Sequence, residues 1–348
     1  MKKSFIALAV SLLMIYACSS SPSSSHPPTG DRATLGAEGG QKRSRSSSHF
    51  SNGEGEEEQL SILFTGDVLL DRGVRPIAER RGVAYLFDSV RAEFRQSDAV
   101  IINLECPLTD TVSPVNKRYI FRANAEWAMD LQKVGITHAA LANNHTNDQG
   151  RRGLQATYQH LTDAGIIPLG YGSDYEQQSS PVIISKGHVR VAVFNAVMMA
   201  LENWHYLDGK PGVCQPASDS LVSTIADYHQ QHPDTRIVTV LHWGVEFNTF
   251  PSMNQRFLAR QLADAGADAI IGHHPHVVQP IDTIGHSLVC YSLGNFVFDQ
   301  HPPQTRQCLM VRLNIKTGTS IAMDVIPAKI VGCRPITLST PSYGERSL

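Results

Sequence analysis

What most constrains this chain is a pattern that starts near residue 60: short apolar runs, each closed by polar residues, alternating with stretches of helical spacing. Residues 60–65, 99–103, 139–142, 237–241 and 269–271 form the runs. Residues 86–96, 126–133, 153–164 and 254–265 carry the helical periodicity. Such an alternation predicts βαβ units around a buried, largely parallel sheet. Later, 287–292, 307–315 and 320–326 read as strands with no helix between them, which predicts added antiparallel strands and a second sheet. The folded domain is expected over 59–330, with a short tail at 331–348.

In parallel α/β sheets, ligands bind in the loops beyond the carboxyl ends of the strands. Five strand ends here carry groups able to hold a metal. They are the segments around Asp67, around Glu105, across 143–148 (Asn143, Asn144, His145, Asn147, Asp148), at His242, and across 273–276 (His273, His274, His276). Gly-Asp after a strand is a weak signal alone, since turns are full of it. The segment 273–276 is the most specific, because an alternating His-x-His directs two imidazoles to one side of an extended chain. Asp67, Glu105 and 143–148 can equally cap helices or turns, and a lone His242 can be structural. All five falling on strand ends favours a shared site. Mixed carboxylate, amide and imidazole groups suit Zn²⁺, Mn²⁺ or Fe²⁺ rather than Ca²⁺ or a thiolate centre.

Composition narrows the alternatives. At 42 % hydrophobic and 18 % charged residues, the chain can bury a core. A net charge of −2 selects no partner, and no basic stripe interleaved with aromatics points to nucleic acid. None of the six cysteines forms a CxxC pair, so a zinc ribbon or redox motif is not indicated. Cys290 and Cys308 could pair across a sheet; the alternative is that the cysteines are small buried apolar residues.

The amino terminus speaks to location. Lys2 and Lys3 precede an apolar run, 5–16, that ends at Ala17-Cys18, as in a signal peptide over 1–17. The stretch Ile15-Tyr16-Ala17-Cys18 resembles the lipobox of bacterial lipoproteins, in which Cys18 is acylated. Residues 18–58, rich in Ser, Gly, Pro and charge, are expected to form a flexible tether. The expected location is the cell envelope, extracytoplasmic and lipid-anchored, at an outer membrane or cell surface.

The ordered set GDVLLDR (66–72), NLECPLT (103–109), LANNHTNDQG (141–150), LHWGVEF (241–247), IIGHHPHVVQPI (270–281) and YSLGNFVFD (291–299) resembles the CapA family, named for poly-γ-glutamate capsule synthesis and similar to calcineurin-like metallophosphatases. The resemblance implies an α/β fold, a four-layer α/β/β/α sandwich with two mixed sheets flanked by helices. It implies one or two divalent ions, Mn, Fe or Zn, held by Asp67, Glu105, Asn144, His242, His274 and His276. It makes His145 the proton donor, with Arg72 or Arg122 as helper. Leu69 stands where the metallophosphatase pattern has a His, and Asp71 is the candidate replacement. The expected function is that of an envelope lipoprotein in capsule polymer biosynthesis or export, with a metal-dependent phosphoesterase-like hydrolase site. Its expected partners are an anionic polymer such as poly-γ-glutamate, or a phosphoester, together with the capsule machinery. The alternative is a non-catalytic polymer-binding or export accessory protein that keeps the fold. The stretch 201–216, with Trp204 and Tyr206, is either a substrate lid or packed surface.

Overall fold

A computed structural model describes residues 58–317 and 321–338, and the backbone of 346–347. The expected signal peptide, tether and Cys18 lie outside the described residues. In chain order, the first half of the domain supplies β1 (Gln59–Val68), β2 (Ala99–Leu104), β3 (His138–Ala140), β4 (Ile167–Leu169), β5 (Tyr171–Gly172), β6 (Val182–Lys186), β7 (Val189–Val197) and β8 (Gly212–Val213). The second half adds β9 (Arg236–His242), β10 (Ala269–His273), β11 (Ile281–Ile284), β12 (Ser287–Cys290), β13 (Asn295–Val297), β14 (Gln307–Lys316), β15 (Ile321–Val331), β16 (Arg334–Thr337) and β17 (Arg346–Ser347).

Two mixed sheets result. The first runs β16-β15-β14-β1-β2-β3-β4, with β1 to β4 parallel and β14, β15 and β16 antiparallel; β13 joins β1, and β17 joins β15. The second runs β11-β12-β10-β9-β7-β6, with parallel β12, β10, β9 and β7 between antiparallel edges. Both central regions are buried on two faces, so their strands read as continuous apolar runs. In β1, Leu60, Ile62 and Phe64 join Val191, Val193, Val238, Val240 and Ile271 in a core between the sheets. The intervening Leu63 belongs to the outer core, with Ile102, Leu131 and Leu154. Helices Trp127–Lys133, Gly150–Asp163, Ser218–Gln231 and Met253–Asp264 cover the sheets, giving the four layers α/β/β/α that the family resemblance implies.

Some expectations change. The helix over 86–96 is broken into short turns, Ala84–Phe87, Asp88–Val90 and Arg91–Arg95. The residues after 331 are not simply a tail. β16 pairs antiparallel with β15 as an edge strand, where Pro335 is tolerated because an edge leaves donors unneeded on one side. Cys290 and Cys308 are both buried and free, on strands of different sheets, as small apolar residues would be.

The parallel strands of both sheets deliver their carboxyl ends to one place. Asp67, Asn103 and Ala140 stand in register across the first sheet, and Val197, His242 and His273 across the second. Polar contacts tie the two rows: a His273 Nε2 contact with the Thr65 carbonyl at 2.9 Å, and Asn103 Nδ2 3.4 Å from His242 Nδ1. The end of β1 is bulged, because its register to β2 shifts between Phe64 and Asp67. Gly66 is needed there. A Cβ on it would lie 2.1 Å from the Gly294 carbonyl oxygen, which accepts the Asp67 N–H bond that aims the Asp67 carboxylate.

Candidate metal centre

At this shared end the structure brings together Asp67, Glu105 and His276, whose ligand atoms lie within 4.8 Å of one another. All three are buried. His276 Nδ1 is 3.2 Å from Asp67 Oδ2, and His276 Nε2 is 3.6 Å from Glu105 Oε1. Neither of those carboxylate oxygens accepts a hydrogen bond. Two buried carboxylate oxygens without donors are costly in a protein interior, and a cation is the natural partner. His274, His276 and Glu246 form a second such group. Asn144 Oδ1 lies 2.9 Å from His242 Nε2, and the His242 and His274 rings are 4.9 Å apart. Two donor atoms on one ion, each about 2.0–2.2 Å from it, sit roughly 3 Å apart, close to the spacing of Asn144 Oδ1 and His242 Nε2 at 2.9 Å and of His276 Nε2 and Glu105 Oε1 at 3.6 Å. The donor set therefore fits one or two divalent ions.

The electrostatics agree with that fit. Burial, reinforced by the Asp67 charge, pushes the Glu105 carboxyl well above its usual value. Burial opposes ionisation of Asp67, but His276, with His273 and Asn103, holds its carboxyl below the usual value. Burial also opposes charge on His276, yet Glu105 and Asp67 raise it to about 9. In the apo protein the His276 imidazolium thus balances the Asp67 carboxylate, while Glu105 is held toward its neutral form. Burial, with the neighbouring histidines, pushes His242 well below the usual imidazole value, and burial first, then His276, takes His274 down to about 3. Neutral imidazoles are the form that ligates metals.

Residues outside the ligand set orient it. Asn103 Nδ2 donates to Asp67 Oδ1 at 2.8 Å and lies 3.4 Å from Glu105 Oε2, and His276 Nδ1 sits 2.9 Å from Asn295 Oδ1. His274 and His276 both have positive φ, 97° and 58°. The loop after β10 is therefore not an extended chain that alternates sides. Two left-handed residues fold it so that both rings reach one centre, 5.9 Å apart, and such strain at non-glycine residues is characteristic of functional loops.

His145 stands beside this group. Its Nδ1 pairs with Asp148 Oδ2 at 2.8 Å, and its ring stacks on Phe121 at 4.1 Å. Asp148 also accepts from the Phe121 N–H and from Lys117 Nζ. That arrangement fixes the Nδ1–H tautomer and leaves Nε2 as the nitrogen able to exchange a proton. Arg72 lies at the rim, its guanidinium near the rings of Phe121 and Phe298 and ion-paired to Asp299. Arg122 is turned toward the Thr109 carbonyl, and its backbone N–H donates to Asp71. Asp71 is thereby spent on Arg75 and Arg122, so it does not replace the missing imidazole. Leu69 is buried in the apolar core. Trp204 is packed under Arg151, with ring centroid and guanidinium 4.0 Å apart, and the Tyr206 hydroxyl accepts from the Tyr175 N–H, while Tyr206 and Leu207 stay half exposed.

Reasoning from sequence did not single out Glu246, Asn103 or Lys117, and it placed Asp148 among possible metal groups and not as the partner of His145. Asn103 and Glu246 lay inside the quoted motifs, and the i, i+3 spacing of His145 and Asp148 was the available signal for their pairing. Lys117 carried none.

Comparison with known proteins follows the same lines. Residues 61–300 match the family of bacterial capsule synthesis proteins designated PGA_cap. The chain is 30 % identical over 295 residues to the PGA biosynthesis protein CapA of Bacillus subtilis strain 168, covering 84 % of this chain and 77 % of that one. It is 31 % identical over 282 residues to the capsule biosynthesis protein CapA of Bacillus anthracis, covering 79 % and 68 %. Among solved structures, one assigned as a 5′-nucleotidase from Staphylococcus aureus superposes with a TM-score of 0.50 at 13 % identity, over 78 % of this chain and 54 % of that chain. The chain spans about half of that solved chain, and the likeness shows the fold alone. With the family matched over most of the domain, the chain belongs to the CapA family of bacterial capsule synthesis proteins and has a metallophosphatase-type fold.

Proposed function

We propose that this protein is an envelope lipoprotein that acts in poly-γ-glutamate capsule biosynthesis or export through a metal-dependent phosphoesterase site. The observation that carries the enzymatic reading is the pair of buried, donor-less oxygens of Asp67 and Glu105 facing His276. Asp67, Glu105, His276, His274, His242 and Asn144, with Glu246 at the rim, would hold one or two ions of Mn, Fe or Zn. Such an ion supplies Lewis-acid polarisation of a phosphoryl oxygen and of the attacking water. In this reading water adds to phosphorus as the P–O ester bond breaks, and His145 Nε2 gives a proton to the departing oxygen. That transfer requires the imidazolium, because the neutral Nδ1–H tautomer has no proton on Nε2; burial lowers the His145 value, while the Asp148 carboxylate on Nδ1 raises it and orients the ring. Arg72 borders the mouth and would meet the equatorial phosphoryl oxygens only by sharing its charge with Asp299.

The second reading is a polymer-binding or export accessory protein without turnover. Leu69 favours it, since an apolar core residue occupies the position of a first-motif imidazole and Asp71 does not compensate. The experiment is metal content and aryl phosphate ester hydrolysis of the wild type beside Asp67→Ala/His276→Ala. Stoichiometric metal and esterase activity, both lost in the variant, support the enzyme. Stoichiometric metal with no esterase activity and retention of poly-γ-glutamate favours the binding role. A wild type that takes up no metal ends the enzymatic reading. The extracytoplasmic, lipid-anchored location rests on the residues up to Cys18, and mass spectrometry of the mature amino terminus tests it.

A further inference from the structure

We propose that the loop and helix following His242 form a membrane-docking face, on which the domain rests against a bilayer with its metal centre at the interface. The proposal relies on the envelope reading for a membrane nearby; the docking itself stands on separate observations. Between residues 245 and 257 the chain exposes five large apolar side chains, Val245, Phe247, Phe250, Met253 and Phe257. Phe250, Met253 and Phe257 are 69, 80 and 66 % exposed. Single exposed apolar residues are ordinary, but a run of this size marks an interaction surface.

The run is displayed by well-formed structure. Helix Met253–Asp264 begins with a reciprocal capping pair, Ser252 and Gln255, and buries Leu258, Ala259, Leu262 and Ala263. Its outward face, where polar residues are expected, carries Met253 and Phe257 one turn apart, with exposed Arg256 and Arg260 among them. The preceding loop is pinned: the Phe247 N–H donates to the Pro275 carbonyl, and Gln279 donates to the Asn248 carbonyl while accepting from Gln255. The apolar side chains therefore have no inward position to fold into.

Aromatic and Met side chains beside arginines, on an amphipathic helix, are the composition of an interfacial helix. The rings enter the boundary of headgroups and acyl chains, and the guanidinium groups meet lipid phosphates. The chain itself favours a bilayer over a second copy or a soluble partner. Its expected acylation point, Cys18, precedes Glu58 by 40 residues. An anchor there would hold the domain near a bilayer, where even a modest face gains from its local concentration. The face also borders the site: Glu246 belongs to the group with His274 and His276, and the Phe247 ring lies 6.2 Å from the His276 ring.

The test uses the chain beginning at Ser19, which lacks the leader and Cys18, sedimented with vesicles of phosphatidylcholine alone and of equal parts phosphatidylcholine and phosphatidylglycerol. The wild type is expected to bind both, and the mixed vesicles more tightly. Phe250→Ser/Phe257→Ser should lower partitioning onto both by about tenfold or more. Arg256→Gln/Arg260→Gln should lower it by about tenfold on the mixed vesicles only, with a matching loss of salt dependence. Circular dichroism should be unchanged, since all four residues are exposed. A wild type that stays in the supernatant with both vesicle types, or a Phe250→Ser/Phe257→Ser variant that binds as well as wild type, overturns the proposal. So does a dimer in sedimentation velocity that this variant dissociates, because a second copy would then own the face. Failure of the anchor reading is separate, seen as unmodified Cys18 in the cellular protein, and it leaves the vesicle result standing.

Discussion

Lys117 holds Asp148 from the side opposite His145: its Nζ lies 2.8 Å from Asp148 Oδ1 and 2.7 Å from the Asn144 carbonyl oxygen, with ammonium and carboxylate both buried. One cation thus fixes the orienting carboxylate of the expected proton donor and the backbone of an expected metal ligand. Removing one partner of a buried pair leaves an uncompensated charge, which typically costs about 3–5 kcal/mol. Lys117→Met should therefore lower stability by that order in denaturant unfolding. Lys117→Met/Asp148→Asn should recover part of the loss, because no lone buried charge remains. Equal stability of wild type and Lys117→Met would show that the pair contributes nothing.

His145 and its orienting carboxylate separate ligation from proton transfer. If His145 donates a proton, His145→Ala lowers turnover of an aryl phosphate ester by about 10²–10⁴-fold with metal content unchanged. Asp148→Asn should lose most of the same factor, since the amide cannot accept the Nδ1–H bond and present an N–H to Lys117 without conflict. Loss of metal in His145→Ala would make His145 a ligand instead.

Metal uptake should be coupled to proton release. His276 is protonated in the apo protein up to about pH 9, with Glu105 raised beside it, and both must give up protons to ligate. Titration calorimetry in buffers of different ionisation enthalpy should show protons released on loading at pH 7, with apparent affinity falling as pH is lowered. Loading without proton release would mean that His276 is not a ligand.

How far the site could be read from residues alone follows from where each residue sits. Asp67, Glu105 and His242 were legible because a buried parallel strand must be apolar, so a polar group at its carboxyl end stands out against the run. Glu246 was not, since it lies on an exposed loop turned back by Phe247 at a positive φ of 65°. The geometry of His274 and His276 was also hidden, because periodicity assumes extended backbone and these residues are left-handed. Asp71 looked like a spare ligand until Arg75, four residues on, was seen to claim it. The hairpin at Arg334–Thr337 was missed because Pro335 and a charged flank imitate a tail, and only the neighbouring β15 supplies its partner.

A histidine away from the centre gives the domain an acid limit of its own. His138 on β3 is buried, and burial lowers it from 6.5 to about 4 in the folded protein. Its Nδ1 lies 2.7 Å from the Thr137 hydroxyl, which is bound in turn to β2 through Val100. The folded value lies below the unfolded one, so between pH 6.5 and 4 the unfolded chain binds the extra proton. Stability is thus full above about pH 6.5 and declines as pH falls toward 4, by about 1.4 kcal/mol per unit and about 3 kcal/mol in all. His138→Gln keeps a polar group of similar reach without the titration. The difference in unfolding free energy between wild type and His138→Gln, both measured with the same metal supplied, should then tilt against the wild type as pH drops through this window. A difference that stays flat from pH 7 to 4 would mean that His138 takes up its proton without leaving the fold.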